Sequence, residues 1–382
     1  MPYFDHNATA PLSPAAREAW LRAQDEAWHN PSSPTRAAAR VRLRLDAARA
    51  QLAQFLGGEP GRIVFNSGAT EGANSVLSHW ARTLPPAERV AVSPTEHPCV
   101  IEAARAHFGE GRIAWLPVTR DGVVQVAEAE KLLSAGGATA VAVMAANNET
   151  GVLQPWAELA ASCRRARVPF LCDATQWLGK LPGSGLGGAG WVIGSAHKFG
   201  GPKGVGFLQV APGADNFCAQ HGGAQEQGRR GGTENYPGVV AMLAALADAE
   251  TTKVLFETER LRWRKNFERA VLAAVPGTVV VAAGAERLWN TVSLLLPHGE
   301  GERWVARLER RDFLVSTGAA CATGKAGPSH VLAAMGLAAD EARRALRVSA
   351  GWDTTEAGWL ALAEALAAVA PEVPPAANVV QP

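Results

Sequence analysis

The pattern of apolar and polar positions opens on an extended arm closed by Pro11 and Pro14. Helical spacing then runs from Ser13 to about Ala27, with Pro14 well placed at a helix start. His29-Asn30-Pro31-Ser32-Ser33-Pro34 reads as a loop, because two prolines and three small polar residues disfavour a regular element. Thr35 to Leu56 alternates apolar and basic residues at helical spacing and stops at Gly57-Gly58, so its arginines form a solvated face. A different rhythm then begins. Short apolar runs, each ending in a polar turn, alternate with helical patterns: Arg62-Ile63-Val64-Phe65, Arg89-Val90-Ala91-Val92, Ala140-Val141-Ala142-Val143-Met144, Pro169-Phe170-Leu171-Cys172 and Trp191-Val192-Ile193-Gly194. Such alternation predicts an α/β fold with a largely parallel sheet covered on both faces.

After about Thr252 the character changes. A charged helix from Glu257 to Ala274 leads to apolar runs at Gly277–Val281 and Trp289–Leu296, then to short helices and strands and an Ala-rich helix. This predicts a large α/β domain over 12–253 and a smaller α+β domain formed by 1–11 with 254–382. No internal repeat and no low-complexity linker interrupts the chain.

Composition narrows the function classes. A net charge of +1 over 382 residues argues against a nucleic-acid surface or a polybasic membrane patch. No apolar segment has the length needed to span a bilayer, and the N-terminus lacks the basic-then-apolar order of a secretory signal. Five scattered cysteines without a C-x-x-C pair suit a reducing cytoplasm better than a disulfide framework. With no H-E-x-x-H either, no metal site is expected.

The polar residues after the strands carry the chemistry: Thr70, His97, Asn148, Asp173 with Gln176, and His197 with Lys198. Ligands of open α/β sheets bind beyond the carboxyl ends of the strands. Singly, Thr70 or Asn148 is read as a cap or turn residue; jointly, caps do not need a histidine, an aspartate and a lysine in one place. Two glycine-rich stretches are decoys. Gly183-Ser184-Gly185-Leu186-Gly187-Gly188 precedes a strand where a dinucleotide site needs a helix, and Gly201-Pro202-Lys203-Gly204 lacks the Lys-Ser/Thr ending of a phosphate loop.

The set matches the needs of pyridoxal phosphate (PLP). Lys198 can form a Schiff base with the aldehyde, and a buried Asp173 can keep the pyridine nitrogen protonated. Gly68-Ala69-Thr70 opens a helix that can receive the phosphate, helped by Ser195 and His197. His97 can stack on the ring and move protons, and Gln176 can hydrogen-bond the phenolic oxygen.

These segments resemble the cysteine desulfurases of the NifS/IscS type, in the class V branch of fold-type I PLP enzymes. The resemblance runs from Asp5-His6-Asn7-Ala8-Thr9 through Ser67-Gly68-Ala69-Thr70-Glu71, Thr95-Glu96-His97, Asn147-Asn148-Glu149-Thr150-Gly151, Asp173-Ala174-Thr175-Gln176 and Ser195-Ala196-His197-Lys198. It continues in Arg230-Gly231-Gly232-Thr233-Glu234-Asn235, Ser316-Thr317-Gly318-Ala319-Ala320-Cys321 and Arg347-Val348-Ser349-Ala350-Gly351. It implies a seven-stranded-type sheet between helices, and a mobile loop that carries Cys321 as nucleophile. Arg347 is expected to pair with the substrate carboxylate, with Asn148 beside it. Thr233 is expected to reach the phosphate of a neighbouring subunit, which implies a homodimer.

The implied reaction takes sulfur from L-cysteine, leaving L-alanine and a persulfide on Cys321 for a sulfur-acceptor protein, an iron–sulfur scaffold or a thiolation enzyme. Lys198 would move the Cα proton and His97 the thiol proton. Selenocysteine lyase and cysteine sulfinate desulfinase are sister readings, and a non-catalytic sulfur-assembly subunit is a reading of another class. Three features depart from the usual pattern. Ala10 stands where a second threonine is common, and Lys325 with two glycines stands inside the Cys321 segment. The chain also stops soon after its last helix, where IscS-type chains extend to help dock the scaffold.

Overall fold

A computed structural model of the chain describes residues 1–318 and 328–374, with 252–257 described in the backbone only. Among the described residues there are two sheets. The larger has seven strands: β1 (Ile63–Asn66), β2 (Val90–Val92), β3 (Ile113–Trp115), β4 (Ala140–Ala142), β5 (Phe170–Asp173), β6 (Trp191–Ser195) and β7 (Gly206–Gln209), ordered β1-β7-β6-β5-β4-β2-β3. Only β7 runs against the rest, pairing antiparallel with both β6 and β1. Two reversals restore the direction, so β1, β2, β4, β5 and β6 all end on one edge.

Period-two burial explains why both faces are covered. Phe65, Cys172, Val192 and Phe207 face one apolar core, while their neighbours Val64, Leu171, Ile193 and Leu208 face another. The helices that cover the sheet start where the sequence says they should. In α1 (Pro14–Glu26), Ser13 caps the first turn with Pro14 at its start. In α2 (Arg36–Leu56), Thr35 caps and Gly57 closes in the left-handed region at φ 69°. The helix α3 (Ala69–Thr83) follows β1, and α4 (Pro98–Phe108) follows β2.

The second sheet has three strands, β8 (Val279–Val280), β9 (Thr291–Leu295) and β10 (Ala345–Ser349), and its own core of Phe4, Phe267, Leu294, Leu346 and Trp359. The charged helix expected from Glu257 is the second half of a 39-residue helix, Tyr236–Ala274. Past Gly238 that span holds no proline or glycine to stop it. No helix among the described residues is long and apolar enough to cross a membrane.

The N-terminal arm joins the two sheets. Phe4 N–H donates to Leu314 O and Ser349 N–H to Phe4 O, each at 2.8 Å, so the arm extends the small sheet. Ala10 N–H then donates to His197 O at 2.7 Å and Ser13 N–H to Gly200 O at 2.8 Å, which seats the arm on the turn after β6.

One buried ion pair ties α2 to β1. Arg49 Nη1 and Nη2 meet Glu226 Oε2 and Oε1 at 2.7 and 3.0 Å, and Arg49 Nη1 also donates to Ile63 O at 2.6 Å. Removing one partner of a buried pair strands the other charge. Glu226→Gln is expected to lower the unfolding free energy by about 3 kcal/mol in denaturant titration; a loss below about 1 kcal/mol would show that water reaches Arg49.

Candidate active site

A cavity of about 500 Å³ opens at the edge where the five strands end. Ala69, Thr70, His97, Asn148, Asp173, Gln176, Ser195, His197 and Lys198 all line it, although they span some 130 positions of sequence. Arg347 does not line it. It sits on β10, 2% exposed, and its Nη1 donates to Asn148 O at 3.1 Å, so one residue separates it from the cavity. Thr233 lines a separate small cavity with Arg230 and Glu234. Cys321 lies outside the described residues.

Lys198 closes the short 3-10 turn Ala196–Lys198 after β6. Its Nζ donates to Asn7 O and Ala8 O, both at 2.8 Å, so carbonyls of the arm hold the amine. Asp173 ends β5, and its carboxylate accepts from Thr175 N at 2.9 Å. Burial pushes its pKa up, against the opposing pull of the Thr175 hydrogen bonds and Lys198.

His97 caps α4, its Nδ1 accepting from Cys99 N at 3.2 Å. Burial, then Lys198, His330 and His197, lower its pKa to about 4, so the ring is neutral at pH 7. With Nδ1 an acceptor, the hydrogen sits on Nε2. His197, its Nδ1 3.1 Å from Thr9 Oγ1, is likewise drawn to about 4, first by burial and then by Lys198.

The residues fit a bound PLP on three counts. Asn148 Oδ1 is buried without a hydrogen-bond partner, and Asn148 lines the cavity. Such an atom calls for a polar ligand. Gly68 has φ 140°, and a Cβ there would come within 3.0 Å of Ser195 Oγ, so the start of α3 is a cradle only glycine leaves open. Gly68 also gives that first turn no side-chain cap, which leaves its N–H groups to an anion or to water. Finally, a buried carboxylate such as Asp173 gains most from a protonated ring nitrogen beside it.

Several residues at the site escaped sequence reasoning. Asp5 Oδ1 pairs with Arg347 Nη2 at 2.6 Å. Arg347 Nε is buried with no partner, so the guanidinium keeps one donor unspent. Asn7 is a junction: its Nδ2 donates to Asn148 O and Thr291 Oγ1, its Oδ1 accepts from Asn290, and its carbonyl serves both Gln176 and Lys198. Lys180 donates to Gln176 Oε1 at 3.0 Å from behind the site. Asp5 and Asn7 stood inside a matched motif, and that was the available signal; nothing in the local pattern pointed to Lys180.

The fold and the cavity define an α/β enzyme whose site is centred on one lysine at the sheet edge. The chain belongs to the class-V aminotransferase family, whose model matches residues 2–362. Within it the chain is of the NifS/IscS type. It is 35% identical over 368 residues to the IscS-like cysteine desulfurase of Mycobacterium tuberculosis, covering 94% of this chain and 93% of that protein. It is 36% identical over 358 residues to a cysteine desulfurase of Klebsiella pneumoniae, covering 93% and 89%. A solved NifS-like protein superposes with a TM-score of 0.89 at 30% identity, over 97% of this chain and 99% of that one.

The two depressed histidines make a pH prediction. Unfolded rings take up protons near pH 6.5 while the folded rings stay neutral down to about pH 4. The unfolded state therefore binds more protons in that window, and stability falls as pH drops through it. The slope is at most about 2.7 kcal/mol per pH unit for two rings, and less where solvent screens them. Urea titrations of cofactor-free protein should show a flatter slope for His97→Asn with His197→Asn; an unchanged slope would place both rings in contact with water.

Proposed function

We propose that this chain is a PLP-dependent cysteine desulfurase, which takes sulfur from L-cysteine, releases L-alanine and leaves a persulfide on Cys321. The observation that carries this reading is the convergence of Lys198, buried Asp173, Gln176 and the uncapped start of α3 on one cavity. Bound PLP supplies an electron sink for bonds at the amino-acid Cα. Lys198 Nζ would hold it, and Asp173 would keep its ring nitrogen charged. The N–H groups of Ala69 and Thr70, with Ser195 and His197, would take its phosphate. Gln176 would donate to its phenolic oxygen, and His97 would lie against its ring.

Substrate binding falls to Arg347 and Asn148. A carboxylate can use the unspent Arg347 Nε with a neighbouring Nη, and the unpartnered Asn148 Oδ1 can accept from the substrate's amino group. Asp5 holds the guanidinium ready for that contact. Lys198 takes and returns the Cα proton at Nζ. His97 presents Nε2–H as a donor, and to accept a thiol proton at Nδ1 it must first release Cys99 N–H.

Cys321 acts as nucleophile: its thiolate forms the S–S bond as the substrate C–S bond breaks. Both flanks of its segment are anchored at the site. Ser316 exchanges backbone hydrogen bonds with Arg347, Arg347 Nη1 donates to Gly318 O, and Ser329 Oγ donates to Glu149.

The persulfide passes to a sulfur-acceptor protein, either an iron–sulfur scaffold or a thiolation enzyme. A homodimer completes the site, with Thr233 reaching the partner's phosphate; its placement outside its own chain's large cavity supports this. Cys99, Cys163, Cys172 and Cys218 are all free thiols, which supports the cytoplasm as the compartment.

Two substitutions separate cofactor from nucleophile. Cys321→Ala is expected to keep the cofactor colour and its spectral response to cysteine, while persulfide and alanine formation fall at least about 100-fold. Release of sulfide at the wild-type rate would sink the nucleophile assignment. Lys198→Ala is expected to lose turnover, and normal turnover would remove the lysine from the mechanism. Rates with cysteine, selenocysteine and cysteine sulfinate, compared before and after Cys321→Ala, identify the substrate: dependence on Cys321 should be greatest for cysteine.

A further inference from the structure

Lys180 follows Gln176 by one helical turn's spacing and is 5% exposed. An ammonium taken out of water is costly unless a carboxylate meets it. Lys180 borders a small cavity with His6, Arg260 and Lys198, and no carboxylate lines that cavity. The titratable groups around it are Lys198, Arg260, His6 and His197, with Asp248 acting on Arg260 and Asp353 hydrogen-bonded to His6. Burial and then Lys198 bring the Lys180 pKa down to about 7. A methionine would fill the same space without that penalty.

The ammonium does something a methionine would not. A carboxamide is nearly symmetric in shape, and its partners decide which end is oxygen. The ammonium form, present below the Lys180 pKa of about 7, offers donors and no acceptor, so Nζ at 3.0 Å commits Gln176 Oε1 to the side away from the cavity. Gln176 Nε2 then spends one N–H on Asn7 O at 2.9 Å, and its second N–H remains for the cavity.

We propose that Lys180 is a positioning residue, whose ammonium turns Gln176 amide-nitrogen-first towards the cavity and sets a second positive charge beside Lys198. The amide part of this rests on the PLP reading above, since the phenolic oxygen is what the free N–H would meet. The charge part does not. Repulsion between two ammonium groups is mutual, so the charge on Lys180 weakens proton binding at residue 198. The backbone of Lys180 has a separate structural task, accepting from Trp289 Nε1 at 3.2 Å, which a side-chain change leaves in place.

The test compares the full-length protein with Lys180→Met, Lys180→Gln and Lys180→Arg, each checked for thermal unfolding. With PLP bound, the pH midpoint of the cofactor's visible absorbance is expected to rise by about one unit in Lys180→Met and Lys180→Gln. In Lys180→Arg it should stay within a few tenths of a unit. In the cofactor-free full chain, trace acetylation of Lys198 followed by mass spectrometry should show the same upward shift in the two neutral variants. If Lys180→Met fails to fold, Lys180→Gln decides, because it is also neutral. Unchanged midpoints in the neutral variants, or an equal shift in Lys180→Arg, would overturn the proposal. If the wild-type protein shows no visible band with PLP, the cofactor reading fails instead. The acetylation result then still decides whether Lys180 acts on Lys198.

Discussion

Everything at the site depends on the seating of the N-terminal arm across two sheets. Asn7 alone ties β9, the Asn148 carbonyl, Gln176 and Lys198 together. A backbone carbonyl costs nothing in side-chain entropy once the arm is ordered, and Asn7 O and Ala8 O aim the lysine amine. The arm thus sets where the amine points.

Charge is arranged around that arm with economy. His97, His197 and Lys198 line the cavity with Lys180 behind it, and burial with repulsion among these groups keeps the two histidines neutral. Asp173 is pushed the other way. Groups whose proton affinities are driven apart mark a chemical site. The start of α3 at Gly68 completes the polarity, since its first turn has no side-chain cap.

Much of this was legible in sequence. A strand's apolar run and the polar turn after it are adjacent, so Asp173, His97 and Lys198 could be placed at strand ends from local pattern. The caps Ser13 and Thr35 and the closing Gly57 were equally local. What local pattern missed was long-range. The strands Ile113–Trp115 and Gly206–Gln209 are short and were not anticipated. Nor could local pattern show that Arg347 pairs with Asp5, 342 positions away, and donates to the carbonyl of Asn148.

By itself the sequence determined five of the seven strands of the main sheet and the kinds of side chain at their ends, because periodicity and turn chemistry act over a few residues. Tertiary structure decided which of those ends share a cavity: β7, running against its neighbours, separates β1 from β6 yet leaves both ending on the same edge. It also decided the finer chemistry. The His97 hydrogen sits on Nε2 because Nδ1 caps a helix, and Gln176 presents nitrogen because Lys180 holds its oxygen. Those choices are made by hydrogen-bond partners and burial, which exist only once the chain has folded.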